Sequence, residues 1–237
     1  MPAAINLLSR AATLLSPDDP ARVHLVPTVR AVQGLGAELG WAEAVLREPM
    51  ESEDVSLRTH ARVQQALLQL FTDDDAEVDA LEEVATEAIR VFERAGDDLG
   101  LARSWRLLQQ ARYLGRHAAA SPDAAEVGLT HARRVNNRLE EIEIVSWLGV
   151  ALFMGATPVQ EALARVEALR SQVHAGRAVD ALLLSSLAAL HAMQGRLPEA
   201  RSLLDRARDI VDDLGYLSQL AVVPFYVGQV ELLGDDP

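Results

Sequence analysis

The sequence predicts an all-α chain, an α-solenoid of about twelve helices stacked as helix–turn–helix units. Three observations predict it. Gly115, Gly155 and Gly195 stand forty residues apart, and Gly234 follows thirty-nine later, a period that suits two helices per unit. The composition is 49% hydrophobic but only 4% aromatic, rich in the Ala and Leu that close helix packing uses. Long β-branched runs and Asn-Gly or Asp-Gly hairpin signals are essentially missing.

The clearest half-unit is GRLPEARSLLDRARDIVDDLG, residues 195–215. Gly195 closes the preceding apolar run at a place where a helix needs a residue tolerant of positive φ. Pro198 sits in the first turn of the next helix, where the missing N–H costs nothing. Ala200, Leu203, Leu204, Ala207, Ile210, Val211 and Leu214 recur at three- and four-residue steps and form one face. Arg201, Asp205, Arg208, Asp209 and Asp212 form the solvated face opposite.

Taken in order, residues 3–15 read as a helix that stops at Ser16-Pro17-Asp18-Asp19-Pro20. A second helix follows to about residue 35, and a third opens at Gly40. The next runs over roughly 53–71 to the acidic turn Asp73-Asp74-Asp75, and its partner ends at Gly96. Then come a helix to Gly115, a turn at Ser121-Pro122-Asp123, and helices over 124–137 and 139–155. Thr157-Pro158 opens the next one, the pair around Gly195 follows, and a final helix ends at Gly234. Ala88, Ala132 and Ala207 keep phase in their second helices, where a small residue lets the neighbour approach. The whole of 1–237 reads as one repeat domain. The last helix, with Leu220, Val222, Val223, Phe225, Tyr226, Val230 and Leu232, is too apolar for a solenoid cap. The expectation is therefore a fragment of a longer protein, or a homo-oligomer that buries the C-terminal helix.

The net charge is −13 and every basic residue is Arg. An Ala-rich chain without Lys reads as bacterial, GC-rich codon usage, and its acidity argues against direct nucleic-acid binding. With no Cys, disulfides, thiolate metal sites and a Cys nucleophile are excluded. The N-terminus lacks a signal-peptide pattern, and no window of about eighteen residues is free of polar groups. The expected location is cytoplasmic, away from membrane.

Few motifs carry chemistry. Gly34, Gly36 and Gly40 have the wrong spacing for a dinucleotide fingerprint and follow a helix rather than a strand, so they read as an inter-helix turn. None of the six His residues lies three or four from another, so no helical metal pair exists and no metal or cofactor is implied. Asp73–Asp75 lacks the glycine and the terminal glutamate of a calcium loop and reads as a turn that caps a helix. Glu140, Glu141 and Glu143 read as first-turn charges that suit the helix dipole.

One set of residues suggests a binding wall. Trp105, Gln109, Arg112 and Tyr113 fall four, three and one apart on a first helix. Val145, Gly149, Leu152 and Phe153 follow one unit later, then Ser185, Ala189 and Met193. An aromatic, an amide and a guanidinium beside an apolar wall suit a peptide or a small polar ligand. The alternative is that Trp105 is core and Arg112 a surface charge.

The stretch GRLPEARSLLDRA (195–207) is similar to the tetratricopeptide repeat in a longer variant of about forty residues. With FERAGDDLGLARSWRLL (92–108) and LGVALFMGATPVQEALARVEAL (148–169), it resembles the helical-repeat region of large actinobacterial regulators. In that family the region follows an AAA- or STAND-type ATPase module, accompanied by a nucleotide cyclase or a LuxR-type DNA-binding domain. The resemblance implies a non-catalytic arm that binds a protein, a peptide or a small effector and regulates the ATPase, in signalling or transcription. The family's catalytic parts have no counterpart here, since a Walker lysine needs a Lys. The rival expectations are a structural homo-dimerisation scaffold and a helical-repeat enzyme with an unrecognised site.

Overall fold

A computed structural model of the chain describes residues 7, 10–12, 14–16, 19–33, 40–70, 77–115, 117–172, 176–214 and 222–234. The described residues are helical, as expected. In chain order the helices are α1 (Pro20–Gln33), α2 (Gly40–Met50), α3 (Val55–Gln69), α4 (Val78–Ala95), α5 (Asp98–Leu114) and α6 (Ser121–Arg134). They continue with α7 (Arg138–Met154), α8 (Val159–Gln172), α9 (Arg177–Ala192), α10 (Leu197–Leu214) and α11 (Val222–Gly234). A short 3-10 turn at Ala118–Ala120 precedes α6. Much of the helix expected over 3–15 lies outside the described residues, as do the turns at 34–39 and 73–75 and the helix end at Gly215. Among the described residues no helix is long and apolar enough to cross a membrane.

Local chemistry sets the helix ends. Asp54 caps α3 by accepting from the amides of Ser56 (2.8 Å) and Leu57 (3.2 Å). Asp97 caps α5 through the Gly100 amide at 2.9 Å, and Asn137 caps α7 through the Glu140 amide at 3.1 Å. These two caps are forty residues apart, and each follows a left-handed residue, Gly96 (φ 66°) and Asn136 (φ 52°). Gly195, at φ 73°, also has the expected positive angle. Gly155 differs: its φ is −86°, and a side chain there would collide with the Ala151 carbonyl oxygen. Ser121-Pro122-Asp123 is the first turn of α6 rather than a separate turn. Proline belongs in that position, and the Ser121 hydroxyl donates back to the Gln109 carbonyl at 2.9 Å.

Each helix packs on its sequence neighbours, and the odd-numbered helices also pack on one another in order, α1 on α3, α3 on α5, α5 on α7, α7 on α9 and α9 on α11. The odd helices run parallel: Arg106, Gln109 and Tyr113 of α5 meet Glu140, Ile144 and Trp147 of α7 in the same sequence direction. The apolar core follows the chain as three successive clusters. The first spans α1 to α3, the second α3 to α6, and the third, with most of the buried Leu, reaches from α5 to α11. Ala88, Ala132 and Ala207 are all buried, as their shared phase predicts.

Candidate functional site

α5 is covered by neighbouring helices on almost every side, so its polar residues enter the interior with it. Arg103 and Arg106, one turn apart, keep only 2% and 4% exposure, and Glu140 on α7 keeps 1%. Arg103 Nε donates to Glu140 Oε1 at 3.1 Å, and Arg106 Nε donates to Oε2 at 2.7 Å. Glu143 lies 3.8 Å from Arg106 on the outer side. In the other direction Arg103 Nη1 donates to His24 Nδ1 of α1 at 2.7 Å, seventy-nine residues away. The His24 ring stands edge-on to His60 of α3, centroids 4.8 Å apart, and His60 Nε2 meets Asp97 Oδ2 at 2.6 Å. Seven polar side chains thus form a continuous line through four odd-numbered helices.

The electrostatics of this line are self-consistent. Burial pushes the Glu140 carboxyl up, but Arg106 and Arg103 together hold it below the usual carboxylate range. Burial, then the adjacent Arg103 charge, lowers His24 to about 4, so its imidazole is neutral at pH 7 and free to accept from Arg103. Asp97 is opposed by burial, yet hydrogen bonds from His60 and the Gly100 amide hold it at about 2. The arrangement fixes helices in register. Among the described residues, no group of three His, Asp or Glu side chains is placed to hold a metal ion.

The binding wall suggested by the sequence is divided among several surroundings. Gln109 is fully buried and donates from Nε2 to the Ile144 carbonyl at 3.1 Å. Arg112 points to α4, where Nε donates to Glu82 Oε1 at 3.1 Å while His117 Nδ1 approaches Oε2 at 2.9 Å. Trp105 is half-buried against the second core cluster. Val145, Gly149, Leu152, Phe153, Ser185 and Ala189 are buried. Ser185 returns its hydroxyl to the Ala181 carbonyl at 2.8 Å, and Phe153 lies 6.0 Å from the Tyr226 ring. Gly149 makes room for α9 and α11: a Cβ there would overlap Ser186 Oγ and lie 2.8 Å from the Tyr226 hydroxyl oxygen. Met193 remains exposed.

Tyr113 alone of the α5 set meets a further half-exposed aromatic, the T-shaped Trp147 of α7, with centroids 5.7 Å apart. No family model, curated protein or solved structure matches the chain. Sequence reasoning singled out neither Trp147 nor the charged line. In the sequence Glu140 reads only as a first-turn charge, and His24 and His60 fall on separate helices. The available signal was that α5 has apolar neighbours on both sides of Arg103 and Arg106 (Leu101, Ala102, Leu107, Leu108), which forces both guanidiniums inward.

Proposed function

We propose that the chain is an α-solenoid of tetratricopeptide-like repeats acting as a non-catalytic interaction module. It binds a protein, a peptide or a small effector and regulates an ATPase-containing signalling or transcription regulator in the cytoplasm. The observation that carries this is the packing order, in which each odd helix touches its two sequence neighbours and the next odd helix. That is the contact pattern of stacked hairpins with one inner row. The half-exposed Tyr113–Trp147 pair on the inner row is the place for ligand contact.

The test is a thermal-shift screen against nucleotides, oligosaccharides, amino acids and short peptides. A ligand well above its Kd raises Tm by several degrees, and Tyr113→Ala or Trp147→Ala abolishes the rise. A stabilising ligand whose effect survives both substitutions would remove this pair from the site.

A second function, self-association through α11, is favoured by one comparison. Pro224, Gly228 and Leu232 are exposed, whereas Leu184, Ala188 and Ala192, at matching positions of α9, are buried. Light scattering tests it: a mass that doubles with concentration, and returns to monomer on Leu232→Glu, supports it; a monomer throughout removes it.

A further inference from the structure

Four large apolar residues occupy the same place in successive odd helices. Leu114 ends α5, Met154 ends α7, Met193 follows α9, and Leu233 lies in the last turn of α11. They are spaced forty, thirty-nine and forty residues apart, and they are 48%, 55%, 45% and 46% exposed. Single exposed apolar side chains are ordinary. Repetition at one position of parallel helices aligns these four along one edge of the molecule.

Carboxylates border that edge. The helices that follow the first three rungs begin with exposed acids in their first turns, Asp123 in α6, Glu161 in α8 and Glu199 in α10. Glu126 joins them. Arg165 is shared among Asp123, Glu126 and Glu161, Arg196 bonds Gln194, and at the two outer rungs Arg112 pairs with Glu82 and Arg201 with Glu231. Among the described residues these carboxylates outnumber the guanidiniums, in keeping with the whole chain at −13.

Spacing selects the shape of the occupant. Packed helices lie about 8–10 Å apart, so four rungs span about 30 Å. A helix with an apolar residue at every seventh position repeats about every 10.5 Å and covers four such positions in about 31 Å. We propose that this edge is a docking site for a basic amphipathic helix, with a heptad stripe of large apolar residues flanked by Arg or Lys. The site names a partner and a surface for the interaction module of the preceding section and rests on that assignment. It lies at the helix ends and adjoins the Tyr113–Trp147 pair only at its first rung, where Leu114 follows Tyr113 in the last turn of α5.

The probe is a fluorescein-labelled peptide of about four heptads, with Leu at one position per heptad, Lys beside it, and Ala and Gln elsewhere. Binding to the full chain is read by fluorescence anisotropy. Expected are saturable binding that weakens with added salt, and affinity at least tenfold lower for M154E/M193E. A control peptide with Glu in place of Lys binds at least tenfold more weakly. Both substituted residues are exposed, and far-UV circular dichroism with a melting curve checks that the variant keeps its fold. In the binding assay, three results overturn the proposal: no saturable binding, affinity unchanged in the double variant, or affinity lost on Tyr113→Ala while M154E/M193E leaves it intact. The last would move the helix to the inner row and leave the interaction module standing; the ligand screen tests that module separately. A concentration-dependent dimer that M154E/M193E abolishes would assign the edge to a second copy, and would also overturn it.

Discussion

Glu140 is the residue on which the packing of α5 against α7 depends most. Its carboxylate is the common acceptor for two buried guanidiniums, at 3.1 Å from Arg103 and 2.7 Å from Arg106. Glu140→Ala leaves both positive charges inside without their partner, and breaking a buried pair in this way costs about 3–5 kcal/mol. Glu140→Gln keeps the shape and one acceptor oxygen but loses the charge, so its cost falls near the lower end of that range. Replacing all three residues by Met removes the charges together. Because desolvation then disappears along with attraction, that variant is expected to be more stable than Glu140→Ala and close to the parent. The assay is urea unfolding at pH 7 followed by far-UV circular dichroism, with the m-value compared across variants. Repeat arrays can lose all-or-none behaviour, and a fall in m would show the row splitting at α5–α7. A Glu140→Ala cost below about 1 kcal/mol would refute the reasoning, because it would place the two guanidiniums in water.

Acidification should weaken the fold in two steps. His24 titrates at about 4 in the fold against 6.5 unfolded, so the unfolded chain binds the proton first. The stability from neutral His24 is complete above about pH 6.5 and is lost as pH falls towards 4. That shift corresponds to about 3 kcal/mol at face value and about 1–2 after solvent screening of a partly exposed ring. Asp97, held at about 2 against 3.8, adds a loss between about pH 4 and 2. Urea midpoints across pH 7 to 4 should flatten in His24→Gln, which retains an acceptor without titrating; an unchanged slope would remove His24 as the cause. In α7, Gly149→Ala forces its methyl against Ser186 Oγ, at an overpacking cost of about 1–3 kcal/mol. Removing that hydroxyl in Gly149→Ala/Ser186→Ala should recover much of the loss, and strictly additive effects in the double-mutant cycle would contradict the contact.

The helices were legible in the sequence because their signals are local. Gly195 and Gly96 supply positive φ, Asp97 and Asn137 supply caps, and apolar residues recur at helical spacing. The start of α6 was misplaced by a few residues, since Ser121-Pro122-Asp123 serves equally as a turn and as a first helical turn. The candidate site was less legible because its geometry is tertiary. Trp105 to Tyr113 occupy a helix covered by neighbours on nearly every side, so Gln109 was drawn into the core and Arg112 towards Glu82. The contact of His24 with Arg103 spans two hairpins, a separation that no periodicity within a helix encodes. Tyr226 reaches Ser186 at 3.2 Å only because position 149 carries no side chain. In the sequence, by contrast, Gly149 and Tyr226 are merely members of two apolar helices.

Small-angle X-ray scattering of the purified chain tests the stacked array most directly. Six odd helices at about 9–10 Å spacing, with one helix diameter added, give a long axis of about 60 Å. The pair-distance distribution should therefore be skewed, with a maximum dimension of about 65 Å or more. A symmetric distribution ending near about 45 Å, the diameter of a compact globule of this length, would contradict the array and the interaction surfaces inferred from it.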